Sequence, residues 1–436
     1  MIVSKKTSND YSFIQKIINK ENNPFLKKSR TNNFKKLREI KFNFREEYKY
    51  TPLKKNLEEK FDLSNENIFK SDSSLFKKIY PHLINNDKVF QIIIMNGEIL
   101  KKFSNIPLNI SFKNFEELEK KEKIILYNNF AENDDSDTDM FSALNGSLWS
   151  KGIFIHVNKN LIIDKPLIIN NFYSSDSQDC NTHTRKFIFM EKNSKLSITE
   201  FDVSLRKKSF NSSVSEIILE DASEFDYFKI QNDPNDSTSY NSINIKQKKN
   251  SILNTFTFSF SGSMIRNNLN ISLENQNCYS NIYGVYSLNG NTHLDNHTSV
   301  DHIKKNSISN EHYKGIMHGK SNGVFNGKIF VRKEAQKTNA FQVNNNILLS
   351  DKAKINTKPQ LEIWADDVKC SHGCTTGQLD EDAIFYLQSR GLTRAKAISI
   401  LINAFFEEII QKIDTQIIKK EIKKIVSNKI ESYINE

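Results

Sequence analysis

Cys370, His372 and Cys374 place two thiols and an imidazole at i, i+2 and i+4, with Ser371 and Gly373 between them. If that segment is extended, all three side chains face one way, because successive side chains of a strand alternate between faces. Thiolate and imidazole suit iron, Cu(I) or zinc. No second Cys/His pair lies at zinc-finger spacing, so another chain would have to complete the ligand set. The plain alternative is a thiol, an imidazole and a thiol at a domain junction, and composition does not separate the two. A second cluster, His293, His297 and His302 with Asp295 and Asp301, brings three imidazoles and two carboxylates into ten residues. In a strand His293 and His297 would share a face and His302 would take the other. The preferred reading is a polar coil corner satisfied by its own carboxylates, not a metal site.

Other chemistries lack their residues. There is no G-x-x-x-x-G-K-[ST] loop and no strand-linked G-x-G-x-x-G; Gly319-Lys-Ser-Asn-Gly323 misses the first glycine at the needed spacing. Neither G-x-S-x-G nor H-E-x-x-H occurs. The acidic stretch from Glu132 to Asp139 has neither the glycine nor the terminal Glu of a calcium loop and reads as solvated. Lys and Arg number 62 against 52 Asp and Glu, a net charge of +10 in 436 residues. The excess is mostly lysine, with no concentrated arginine and aromatic footprint, so nucleic acid is not the expected partner. No run of 18 apolar residues suggests a membrane span. The start has no apolar core of a secretion signal, and four cysteines make no disulfide framework. The expectation is a cytoplasmic protein.

Three segments must position these residues. Residues 1–145 read as mainly helical, with apolar spacings of three and four from Tyr11 and from Phe34. They also hold a β-like run at 89–95 followed by the hairpin turn Asn96-Gly97, and a helix expected over 114–128. Residues 146–378 change character. Short β-branched and aromatic runs follow one another at 152–157, 161–163, 186–190, 216–219 and 255–260. A small residue after a polar turn recurs at Ser194, Ser223, Ser251, Cys278, Ser307 and Ala335, in steps of 29, 28, 27, 29 and 28. Strands at such a period suggest a β-helix, with small side chains stacked at one corner; a β-sandwich of irregular hairpins is the alternative. Residues 379–436 read as helices. The first has an acidic start, Arg390 at its end and Gly391 as stop; Thr393 caps the second, and an amphipathic third covers 417–430.

Several blocks resemble the SufB/SufD family of iron–sulfur cluster assembly. They are Tyr313-Lys-Gly-Ile-Met-His-Gly-Lys-Ser-Asn-Gly-Val-Phe-Asn-Gly-Lys-Ile-Phe-Val331, Ala335-Gln-Lys-Thr-Asn-Ala340, the block from Lys358 to Gly373 and Phe385-Tyr-Leu-Gln-Ser-Arg-Gly391. The resemblance is dense over about residues 290–410; upstream, Arg45-Glu-Glu-Tyr-Lys-Tyr-Thr-Pro-Leu53 is similar to the family's N-terminal element. Ala365-Asp-Asp-Val-Lys-Cys-Ser-His-Gly373 is similar to the SufD branch, where SufB carries a His-Glu version. The resemblance implies a mainly β fold: a right-handed parallel β-helix between N-terminal and C-terminal helical domains. It implies a non-enzymatic scaffold that pairs with SufB through the β-helix ends and binds the SufC ATPase through its C-terminal helices, with a homodimer left open when the chain is alone. Its cargo would be transient iron or a nascent cluster, with no tightly bound cofactor. His372 and Cys370 match the family's positions at the SufB interface, implicated in cluster formation. Cys374 stands where the family usually has alanine, as an extra ligand or as filler, with filler preferred. The runner-up is a SufB-type scaffold that itself accepts sulfur. More distant is a β-helix carbohydrate enzyme, since pectin-cleaving hydrolases use paired aspartates and a His-Gly motif. There the elements are spread over successive coils, whereas Asp367 and His372 are only five residues apart.

Overall fold

The computed structural model describes residues 12–40, 48–51, 77, 79–84, 86–130, 139–174, 180–205, 208–233 and 237–434. The chain start, Tyr11, residues 45–47 and 52–53 of the N-terminal element, and 132–138 of the acidic stretch lie outside the described residues.

Helices α1 (Ser12–Lys20) and α2 (Pro24–Glu39) form where apolar spacing was read. Asn23 caps α2 by accepting from Phe25 N at 3.0 Å, and Pro24 fills a first-turn position where no N–H is needed. Strands β1 (Phe90–Met95) and β2 (Glu98–Ile99) make the expected hairpin, with Asn96 at φ 49° and Gly97 at φ 86°. The helix expected from 114 starts late. Strand β3 (Ser111–Asn114) ends there, a 3-10 turn covers Phe115–Glu117, and α3 spans Lys120–Asn129. Helix α4 (Met140–Leu148) packs with α1 and α2: Ile14, Ile18, Leu37 and Phe141 share a buried cluster with Phe210 and Tyr240 on the outer face of the β-structure.

That β-structure begins with β4 (Lys151–Val157) and β5 (Leu167–Tyr173). Seven two-strand coils follow: β6 (Cys180–Met190) and β7 (Lys195–Ser204), β8 (Ser209–Leu219) and β9 (Glu224–Asn232), β10 (Ser237–Gln247) and β11 (Ile252–Ser261), β12 (Met264–Leu273) and β13 (Tyr279–Leu288), β14 (His293–His302) and β15 (Ile308–Met317), β16 (Asn322–Val331) and β17 (Asn339–Leu348), and β18 (Lys354–Ile363) and β19 (Lys369–Gly377). Odd strands stack in the order β19-β17-β15-β13-β11-β9-β7-β5-β1-β2, even strands as β18-β16-β14-β12-β10-β8-β6-β4-β3. All pairings are parallel except β1–β2 and β3–β4 at the first end. The product is a parallel β-helix with an apolar interior, including Ile188, Leu219, Leu253, Leu294 and Ile329. The stretch at 161–163 is no strand, only a single bridge from Ile162 to Lys195.

The period has a physical cause at one corner. Asn160, Asn193, Ala222, Asn250, Asn277, Asn306 and Lys337 all have φ between 56° and 65°. The N–H of each donates to a carbonyl of the next coil, as from Asn193 to Asp221 at 3.0 Å and from Ala222 to Lys249 at 2.9 Å. Asparagine tolerates this left-handed conformation best among residues with a β-carbon. The small residue after it turns inward, and its hydroxyl ties the turn: Ser223 Oγ donates to Glu220 O and Ser251 Oγ to Lys248 O, both at 2.7 Å. The last step of the sequence marker is corrected. Thr338, not Ala335, follows the left-handed Lys337, and Ile308 pairs with Asn339, a step of 31. Three additional residues enter this coil; Ala335 is buried and accepts from the Thr338 hydroxyl at 2.8 Å.

The chain then leaves the β-helix through α5 (Glu381–Ser389), α6 (Arg394–Ile410) and α7 (Gln416–Ile434). Asp380 caps α5, Gly391 at φ 87° stops it, and Thr393 caps α6 by accepting from Lys396 N at 3.2 Å. Ile402 and Phe406 of α6, with Ile418 and Ile422 of α7, pack on Phe228, Phe256 and Phe258 of the odd-strand sheet. The apolar stripe of α7 is thereby covered within the chain. Among the described residues no helix is long and apolar enough to cross a membrane.

Candidate functional site

β19 is the last strand of its sheet, and β18 is last in the other, so the second end of the β-helix presents two edges with no further strand among the described residues. Ala340, Gln342 and Asn344 of β17 pair with Cys370, His372 and Cys374 of β19. The first three are buried inside the β-helix. Paired positions in a parallel sheet project to the same face, so the Cys370, His372 and Cys374 side chains share the inner side of the mouth. Cys370 packs against the interior cluster and is half-buried; His372 and Cys374 are exposed. Burial pushes the Cys370 thiol up, against one hydrogen bond from the Ala340 backbone. The expectation of one face holds, but one strand face does not make one ion site. Positions two apart on a strand are separated by about 6.6 Å. Among the described residues no group of three or more His, Cys, Asp or Glu side chains could hold a metal ion. Asp366 and Asp367 sit exposed at the corner before β19, where Asp367 O accepts from Lys337 N at 2.6 Å.

The floor of this mouth is polar, which the sequence reading missed. Gln342 Nε2 donates to Glu311 Oε2 at 2.7 Å. Asn344 Nδ2 donates to the Tyr286 hydroxyl at 3.0 Å, which donates to Asn346 Oδ1 at 2.5 Å. All five side chains are buried, and burial pushes the Glu311 carboxyl up to about 7. Glu311, Gln342, Asn344 and Asn346 all fall at inward parity of β15 and β17, and two of their columns carry polar side chains in earlier coils as well, Lys229 and Thr257 below Asn344 and Gln231 and Ser259 below Asn346. Further back the lumen holds one paired charge cluster. Glu200 accepts from Lys186 and from Lys229, and Lys229 Nζ also lies 2.6 Å from Asp202. Burial would raise the Glu200 carboxyl, but the two ammonium groups outweigh it and hold it down at about 2.

The His293 cluster lies wholly on β14, not at a corner, and its faces divide as expected. His293 Nε2 is 3.0 Å from the Thr51 hydroxyl, and His293 Nδ1 accepts from Asn322 Nδ2 at 3.0 Å. Asp295 pairs with Arg266 and accepts from Thr51, with His297 Nε2 2.8 Å from its other oxygen. Burial works to raise the Asp295 carboxyl; Arg266 and His297 prevail and keep it well below the usual carboxylate range. His302 faces the interior, bonded to Ser309 Oγ at 2.9 Å, and burial pulls it down to about 3. His293 and Asp295, with Arg266, dock Thr51 and Tyr48 on the even-strand sheet, while His302 Nδ1 is buried on the inner side without a hydrogen-bond partner.

The chain is thus a helix-flanked parallel β-helix with thiol and imidazole groups on an open rim. The chain belongs to the SufBD family: the pattern described as "SUF system FeS cluster assembly, SufBD core domain" matches residues 172–405, and "SufBD protein N-terminal region" matches 1–169. It is 29% identical to an iron–sulfur cluster assembly SufBD family protein of Synechocystis over 349 residues, 77% of each chain. It is 37% identical to the iron–sulfur cluster assembly protein SufD of Escherichia coli over 166 residues, 38% of this chain and 39% of that one. To the chloroplastic protein ABCI7 of Arabidopsis thaliana it is 26% identical over 292 residues, 65% of this chain and 61% of that one. This is an iron–sulfur cluster assembly protein of that family.

Proposed function

We propose that the chain is the SufD-type, non-enzymatic scaffold subunit of a cytoplasmic cluster assembly complex. The observation that carries this is the open mouth, where Cys370 and His372 stand on the inner face of an edge strand. One strand face supplies too few convergent ligands for iron, so the rest must come from a partner, and SufB docked against β18 and β19 would bring them. Exposed Phe341, Ile363 and Trp364 near these edges support a protein contact there, since large exposed apolar groups gain from being covered. Phe385 of α5, 72% exposed, and Tyr386 beside it give the C-terminal helices a surface for the SufC ATPase. ATP-driven pairing of two SufC subunits would make different contacts with open and closed arrangements of the scaffold and so bias the switch between them. Iron and the growing cluster are cargo, held by thiolate and imidazole split across two chains. Cys374 is filler in this reading.

The test is oxygen-free co-purification with SufB and SufC, followed by mass determination and cluster reconstitution. A complex of one such chain, one SufB and two SufC is expected. His372→Ala should assemble equally well and lose cluster yield. A lone monomer, or full yield from His372→Ala in an intact complex, overturns the reading.

A further inference from the structure

Glu311, Gln342 and His372 occupy one column, one residue per coil, through the pairings of β15 with β17 and of β17 with β19. Gln342 is only 1% exposed and Glu311 2%. Gly327 makes room for the Gln342 amide: a β-carbon there would stand 2.3 Å from Gln342 Nε2. Its nitrogen is committed to Glu311 Oε2. Its carbonyl oxygen, Oε1, is buried and has no hydrogen-bond partner. A buried acceptor left without a donor costs about 1–3 kcal/mol and calls for a reason. The next side chain in the column is that of His372, whose backbone lies one strand spacing of about 4.8 Å further along and whose imidazole carries an N–H.

We propose that Gln342, oriented by Glu311, is a positioning residue for His372: its Oε1 accepts the inward ring N–H and so aims the other ring nitrogen, with its lone pair, out of the mouth. Histidines that ligate metals commonly donate their second N–H to a carbonyl or carboxylate, which fixes tautomer and ring angle. Glu311 decides which end of the amide is free, since its Oε2 takes the nitrogen. The assignment rests on the reading of His372 as a cluster-assembly residue, but its first readout does not.

The experiment uses the full chain with ¹⁵N-labelled histidine, the His372 signals being identified by their loss in His372→Ala. Wild type should show one dominant His372 tautomer. Gln342→Leu should return His372 to the mixture of a solvent-exposed histidine and lower cluster yield in the intact complex about 10- to 100-fold, the usual effect of removing such an outer partner. Glu311→Gln is nearly isosteric and stays folded even if Gln342→Leu does not. It offers both a donor and an acceptor, so the amide is no longer oriented, and the tautomer mixture should appear with an unchanged melting temperature. A wild-type His372 already mixed, or one that neither variant alters, overturns the proposal. Loss of yield in His372→Ala without loss in Gln342→Leu or Glu311→Gln also overturns it while leaving the scaffold reading intact. Full yield in His372→Ala instead removes the scaffold role of that histidine, whatever the tautomer shows.

Discussion

The ring of Tyr286 lies against Gly315 of the next coil, so close that a β-carbon on Gly315 would stand 1.9 Å from Tyr286 Cε2. The contact is reciprocated: Tyr313 covers Gly284 in the same way, at 2.1 Å. Tyr286 cannot give, because its hydroxyl is held by Asn344 and Asn346. The Tyr313-Lys-Gly315 run that carries the family resemblance is thus a packing device beneath the mouth. Gly315→Ala should destabilise the protein by about 1–3 kcal/mol, the range for overpacking a filled core. Chemical denaturation measures this, and an unchanged midpoint would show that the ring yields.

Ala222 is the exception in a corner otherwise built on asparagine, apart from Lys337, and it sits at φ 56°. Left-handed backbone costs an ordinary residue roughly 1–2 kcal/mol, and asparagine less. Flanking coils also show what is missing: Asn193 Nδ2 donates to Asn160 Oδ1 at 2.9 Å, and Asn277 Nδ2 to Asn250 Oδ1 at 3.0 Å. Ala222→Asn would bridge the two pairs into one ladder. It should raise stability by about 0.5–1 kcal/mol, seen as a higher unfolding midpoint with unchanged denaturant slope. A lower midpoint would mean that the corner selects size over conformation.

Asp233 links the lumen to alkaline pH. Burial pushes its carboxyl up to about 8, against a hydrogen bond donated by Ser204 N at 2.6 Å, with Asp202 adding to the rise. An acid whose folded pKa is raised stabilises the fold while protonated. That contribution is complete below the unfolded value near 4 and is lost progressively as pH climbs toward 8. Asp233→Asn keeps an acceptor for Ser204 and removes the titration. Stability measured at pH 5 and pH 8.5 should fall more in wild type than in the variant, by an amount on the order of a few kcal/mol. Equal falls would place the alkaline sensitivity elsewhere.

How much of this was legible depends on what each feature repeats. The coil corner repeats, so a period of 27 to 29 residues was visible from Ser194 to Ser307. It failed at Ala335 because the next coil is longer, and spacing alone cannot tell an insertion from a continuation. The common face of Cys370, His372 and Cys374 followed from alternation on one strand, a local property. That His372 stands over Gln342 and Glu311 depends on register between residues about 30 positions apart, which no local pattern encodes. The His293 cluster shows the same limit: its partners Thr51 and Arg266 come from distant segments, so its chemistry looked open in sequence and is closed in space.

Cys370 and Cys374 flank His372 symmetrically in sequence but not in the structure. Cys370 is half-buried against the interior cluster, over Ala340, while Cys374 is exposed over Asn344. Strand spacing keeps one ion from reaching both sulfurs, so at most one of them joins His372. The half-buried thiol is the better placed, because its position is already fixed by packing and less side-chain entropy is lost on binding. Thiol burial raises its pKa, but an arriving ferrous ion supplies the positive charge that favours thiolate. Cys370→Ser should therefore lower cluster yield in the intact complex about 10-fold or more, whereas Cys374→Ser should stay within about twofold of wild type, given how strongly iron prefers sulfur to hydroxyl. Anaerobic reconstitution followed by visible absorbance and iron analysis distinguishes them. The reverse ranking would move the ligand to the exposed cysteine and make the packing of Cys370 purely structural.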